Sequence, residues 1–136
     1  MNVKRWLFAS LAVLVVIAAL DMFINSVLLT DLYKQTASVW RPPQEMQQRM
    51  WLFFLGYLIL APLFTLIYAK GHEPAKSGLG QGLRYGLYMG LVLSVLPNLV
   101  WYTVLPIPGV LAFYWFLGGM VESVTAGVTA GLIYRA

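Results

Sequence analysis

Trp6–Leu29, WLFASLAVLVVIAALDMFINSVLL, is a run of twenty-four residues holding one charge, Asp21, and one carboxamide, Asn25. At about 1.5 Å per helical residue such a run reaches roughly 36 Å, enough to cross the roughly 30 Å hydrocarbon core of a bilayer. Lys4-Arg5 ahead of it also resembles the opening of a secretory signal. Its apolar stretch, however, exceeds the roughly 7–15 residues of a signal core, and no small-x-small cleavage site follows. The run reads as a retained helix.

Three further runs have the same character: Met50 to Ala69 with Pro62 inside it, about Gly82 to Val104, and about Val110 to Tyr134. Backbone groups in lipid must find partners within their own segment, so these runs are expected to be helices. The predicted fold is an all-α integral membrane protein, a four-transmembrane-helix bundle in one domain over 1–136. Its helices are expected at about 6–29, 44–69, 79–104 and 110–134. Composition agrees. Of 136 residues 60% are hydrophobic and only 10% charged, where a soluble domain carries about a quarter. The net charge of +4 comes from basic residues set between apolar runs rather than gathered in a patch, which argues against a nucleic-acid partner. The absence of cysteine excludes disulfides and thiolate metal sites.

Basic residues also set the expected orientation. Lys4, Arg5, Lys70, Lys76, Arg84 and Arg135 fall on one side, against Lys34, Arg41 and Arg49 on the other. Six against three places both termini inside, in a multi-pass protein of the cell's inner membrane. Trp6, Tyr68, Tyr85 and Tyr134 then mark the inner plane, and Trp51, Trp101, Tyr102, Tyr114 and Trp115 the outer one. Pro42-Pro43-Gln44-Glu45 reads as a helix start in the long first connection, ahead of the membrane. Leu105-Pro-Ile-Pro-Gly109 is short enough to make the last two helices antiparallel neighbours.

Without a hydrophobic drive between helices, small residues that allow close backbone approach decide packing. The third run carries Gly78, Gly82, Gly86, Gly90, Ser94 and Asn98 at every fourth position, and the fourth run carries Gly119, Ser123, Gly127 and Gly131. Residues four apart share a helix face, so the rows either meet within one hairpin or form the seam of a homodimer. The short turn favours the hairpin.

Two carboxylates lie inside the runs, Asp21 and Glu122. A charge there costs several kcal/mol unless paired, neutralised or hydrated. Measured from the inner aromatic plane, Asp21 lies at roughly 22 Å, Asn98 at roughly 20 Å and Glu122 at roughly 18 Å. Three polar residues on three helices therefore share one level in the outer half of the membrane. Asn25 sits one turn above Asp21, Ser94 one turn below Asn98, and Thr125 and Thr129 follow Glu122. Asp21, Asn25, Ser94, Asn98, Glu122 and Thr125 are thus the candidate ligand- or proton-binding residues. Pro97 frees a further backbone carbonyl beside them. The plainer reading pairs Asp21 with Arg41 or Arg49 and hydrogen-bonds Glu122 to Ser94 or Asn98 as packing.

His72, in a polar turn beside Glu73, reads as a solvated loop residue. No metalloprotease, nucleophile-elbow, phosphate-loop or zinc spacing is present, so no catalytic residue, cofactor or metal site is expected. The functional expectation is binding or transport of a proton or cationic solute at the acidic level. The alternative is an accessory or assembly subunit that packs against a larger membrane complex through a glycine face. The expected partners are the lipid bilayer and either a second copy or such a complex.

Overall fold

The computed structural model describes residues 1–135, which form helices and turns with no strand. Four helices are long and apolar enough to cross a membrane: Val3–Leu28, Pro43–Gly71, Gly78–Val104 and Gly109–Ile133. Within the first, an α-helix (α1, Val3–Phe23) runs on into a single π turn, Ile24–Leu28. The first connection folds as α2 (Thr30–Gln35), a 3-10 turn at Ala37–Val39, and α3 (Pro43–Arg49). One residue, Met50, separates α3 from α4 (Trp51–Gly71). The last two helices are α5 (Gly78–Val104) and α6 (Gly109–Ile133).

Local chemistry explains these ends. The Asn2 side chain accepts from the Arg5 N–H at 3.1 Å and so caps an orphan donor of α1. Pro43 occupies the first turn of α3, where its missing N–H costs nothing, with Glu45 near the positive end and Arg49 in the last turn. At Met50 the N–H bonds tighten to i−3 partners, Met50 to Gln47 and Phe53 to Met50, which marks the joint between α3 and α4. Ser77 caps α5.

The core is narrow. Ala9, Val13 and Ile17 of α1 pack between Tyr57, Ala61, Phe64 and Tyr68 of α4 and Ala126, Ala130 and Tyr134. Two polar contacts clamp α1 to α4 within it. The Ser10 and Thr65 hydroxyls lie 2.5 Å apart, and the Trp6 indole N–H donates to the Pro62 carbonyl at 3.1 Å. Interhelical hydrogen bonds of this kind average about 0.6 kcal/mol in a membrane. Most large apolar side chains instead face outward, up to 69% exposed at Val92, as lipid-facing surfaces do.

α5 joins this core through α6. A methyl group added to Gly78, Gly82 or Gly86 would lie 2.2, 2.3 or 2.5 Å from the carbonyl oxygens of Gly131, Gly127 and Ser123. The two backbones are in direct contact, which no side chain larger than hydrogen would permit. The Ser123 hydroxyl donates across the seam to the Gly86 carbonyl at 2.9 Å. Near the same end Tyr85 reaches α4, where its hydroxyl donates to the Phe64 carbonyl at 2.5 Å. At the opposite end Leu29, Ile107 and Leu111 form a second cluster with Trp40 and Trp115, so the first connection caps the α5–α6 turn.

Both termini lie at one end, where the Asn2 N–H donates to the Tyr134 hydroxyl at 3.2 Å. His72 differs from its sequence reading. Its ring is half-buried, with centroids 5.8 Å from Tyr68 and 5.4 Å from Tyr134. The polar turn folds back over the ends of α4 and α6, and their aromatic side chains enclose the imidazole.

The seam predicts an asymmetric response to alanine. Gly127→Ala sets a methyl 2.3 Å from the Gly82 carbonyl oxygen and is expected to lose on the order of 1–3 kcal/mol in detergent unfolding titrations. Gly56→Ala meets nothing within 4 Å and should leave the unfolding midpoint unchanged or raised. Equal midpoints for Gly127→Ala and wild type would show that the seam does not hold α5.

Candidate acidic site

The π turn sets the geometry around Asp21. Such a turn shifts backbone bonding from i−4 to i−5, as in the Leu29 N–H to Ile24 carbonyl bond of 3.0 Å, and π turns recur at functional sites. Asn25, inside this turn, donates its carboxamide to the Asp21 carbonyl at 2.9 Å and to Asp21 Oδ1 at 3.0 Å. One side chain thereby supports the change of register and orients the carboxylate.

Asp21 has two further partners from other helices. The Tyr57 hydroxyl of α4 donates to Asp21 Oδ2. Glu122 of α6 lies close enough to Asp21 for the two carboxyls to interact electrostatically. Two carboxylates have no donor between them, so a hydrogen bond joining them contains one proton. Asp21, Glu122 and Asn25 are all partly buried, and Tyr57 is only 9% exposed.

The network continues toward the first connection. The Tyr33 hydroxyl of α2 donates to Asn25 Oδ1 and accepts from the Trp115 indole N–H at 2.8 Å. Trp40 packs edge-on against both Tyr33 and Trp115, with centroids 5.7 and 5.8 Å away, and its indole donates to the Thr36 hydroxyl at 2.9 Å. A cap of three aromatic rings thus sits next to the acidic pair. Burial raises the Tyr33 pKa above its ordinary 10.0; the Trp115 hydrogen bond opposes this and the nearby Asp21 charge adds to it.

The sequence-derived residues divide into two groups. Asp21, Asn25 and Glu122 come together. Ser94 is buried in the α5–α6 seam, where its hydroxyl packs over Gly119 so closely that a methyl there would lie 2.3 Å away. Asn98 donates to the Ser94 carbonyl at 2.6 Å, one turn back on its own helix. Thr125 is exposed and donates to the Val121 carbonyl at 2.7 Å, and Thr129 does the same to Thr125 at 2.8 Å. The packing residues Gly82, Gly86, Gly90, Gly119, Ser123 and Gly127 all line the α5–α6 seam.

The division follows from helix geometry. Gly119, Ser123 and Gly127 face α5, whereas Gly118, which lies 3.4 Å from an Ile24 methyl when given a Cβ, and Ala126 face α1. Glu122 belongs to this second row. Asn98, which continues the row on α5, therefore lies across a different face of α6.

Among the described residues Arg41 and Arg49 pair with Glu45 at 3.5 and 3.9 Å, both in exposed settings, and no ion pair includes Asp21 or Glu122. Nor do three or more His, Cys, Asp or Glu residues gather into a metal-binding group among the described residues. Sequence reading missed Tyr57, Tyr33 and the indole of Trp115. Tyr57 was accessible to the same depth argument, since it lies eleven residues, or roughly 17 Å of helix, from Tyr68. Tyr33 left no such signal, because only the fold of the first connection returns it to Asn25. Comparison with protein-family models, curated proteins and solved structures finds no match to this chain.

Two measurements probe the network. In a double-mutant cycle of Tyr57→Phe and Asp21→Asn, unfolding free energies should show a coupling of about 1 kcal/mol, within the range for interhelical bonds in membranes. Strictly additive losses would mean that the two side chains do not interact. For Tyr33, a raised folded pKa means a contribution to stability that is complete below the unfolded value of 10.0 and fades as pH climbs through the folded one. Alkaline difference spectra should accordingly lose, in Tyr33→Phe, a phenolate component that ionises above pH 10.0.

Proposed function

We propose that this chain is a small multi-pass protein of the inner membrane, both termini inside, whose Asp21–Glu122 pair binds a proton and exchanges it for a cationic solute. One observation carries the reading: the two carboxyls are mutual neighbours, a hydroxyl and an amide donate to Asp21, and among the described residues no ion pair includes either acid. An acid inside a membrane is retained by pairing, neutralisation or hydration. A shared proton neutralises half of the pair, and a monovalent cation can replace that proton without changing the net charge of the site. Asn25 and Tyr57 hold Asp21 in place for either occupant.

The orientation rests on charge. Six basic residues belong to the termini and the second connection, and three to the first. The acidic pair then lies in the outer half, beneath the Tyr33–Trp40–Trp115 cap. Transport by alternating access would call for a second copy, since four helices leave little to rock against one another. The accessory-subunit alternative has less support, because the glycine faces it would use are occupied by each other within the hairpin.

The test is proton release from detergent-purified protein on adding monovalent and organic cations, beside infrared difference spectra of the protonated carboxyl band. Wild type should release protons and lose that band together, and Asp21→Asn and Glu122→Gln should do neither. A folded wild type that releases no proton and keeps its carboxyl band unchanged would remove the exchange reading.

A further inference from the structure

At the end carrying both termini, the turn after α4, the start of α5 and the end of α6 enclose a cavity of about 360 Å³. That is roughly twelve times the share of one liquid water, room for a small headgroup with its hydration. Lys76, Ser77 and Arg135 line it on the polar side and Leu79 and Leu132 on the apolar side. The backbones of Gly78 and Gly131, in direct contact with each other, also line it.

The charge around this slot is strongly one-sided. The Lys76 ammonium contacts Glu73 at 2.7 Å, but both groups are more than half exposed, so the pair is worth little and opens readily. Arg5 reaches the same corner, donating to the Arg135 carbonyl at 2.8 Å. The Glu73 carboxyl is held below its usual range by the Lys76 hydrogen bond, and the Lys76 and Arg84 charges act in the same direction. Lys76 and Arg135 thus line the slot, Arg5 adjoins it at the Arg135 carbonyl, and Arg84 lies close enough to Glu73 to act on its charge.

The apolar side has a different character. Leu79 and Leu132 are 53% and 50% exposed and continue the outward apolar faces of α5 and α6. A ligand that fits must be anionic and compact at one end and hydrocarbon at the other. It must also sit where a membrane-crossing helix meets water. Basic pockets between transmembrane helices at this level recognise phospholipid headgroups. We infer that the slot seats an anionic phospholipid, its phosphate between Lys76 and Arg135 and its acyl chains along Leu79 and Leu132. This site is separate from the acidic pair, which lies more than half a membrane away on the depth scale of the sequence.

The full-length protein, extracted in detergent, is incubated with phosphatidylglycerol or phosphatidylcholine of identical chains, and bound lipid is counted by native mass spectrometry. Phosphatidylglycerol should be retained in preference to phosphatidylcholine. Lys76→Gln and Arg135→Gln should each lower its retention about fivefold, and the two together about twenty-five-fold. Lys76→Arg with Arg135→Lys should restore it. Lys70→Gln removes the same charge outside the slot and should change retention less than twofold. Equal retention of the two lipids would overturn the proposal, as would a Lys70→Gln loss matching those of the slot variants. Displacement of the lipid by an equal concentration of inorganic phosphate would overturn it too, by making the slot a site for free anions.

Discussion

Successive residues on a helix turn by about 100°, and α6 uses that rotation to serve two neighbours. Gly119, Ser123, Gly127 and Gly131 point into α5, while Gly118, Glu122, Ala126 and Ala130 point toward α1. Both rows consist largely of small residues, so both neighbours approach closely. α5 has few other attachments, Tyr85 on the Phe64 carbonyl being the clearest. α1 in turn carries α4 through the Ser10–Thr65 and Trp6–Pro62 contacts. The bundle is therefore built outward from α6, and whether Glu122 meets the seam or α1 follows from the face of α6 that it occupies.

Glu122 is the one large polar residue on the row facing α1, and that placement determines its chemistry. Had it stood one position later, it would have entered the seam, where a methyl group at Gly127 already collides with a carbonyl oxygen. On its own row it meets the end of α1, where the helix changes register and presents Asp21 with Asn25. Register change and acidic contact support each other. The π turn aims Asn25 back along the helix, Asn25 holds Asp21, and Tyr57 closes the remaining oxygen from α4. Tyr33 and Trp115 then secure Asn25 from above, so the first connection is tied to the same carboxylate.

The two ends of the bundle offer contrasting surroundings. One carries the aromatic cap over the acidic network, with its arginines drawn off to Glu45 on the exposed α3. The other gathers arginine and lysine around an open slot and encloses His72 between tyrosines. Positive charge is thus kept away from the carboxyl pair and concentrated at the end with the termini. That separation bears on both proposals: a basic side chain beside Asp21 would take the place of the proposed proton or cation, and the proposed lipid phosphate needs Lys76 and Arg135.

Four apolar runs, their lengths and the presence of two acids within them are properties of the linear sequence, since hydrocarbon thickness and helical rise convert residue counts directly into depth. Depth alone grouped Asp21, Asn98 and Glu122. Rotation about each helix axis is not encoded locally, because it depends on which face finds a partner. Only the tertiary structure assigned the row containing Asn98 to the glycine seam and the row containing Glu122 to α1. It also brought in Tyr57 and Tyr33, whose roles depend on α4 and the first connection folding against α1. The sequence by itself determined how far along its helix each polar group lies; helix packing decided which of them meet, because contact requires a shared direction as well as a shared level.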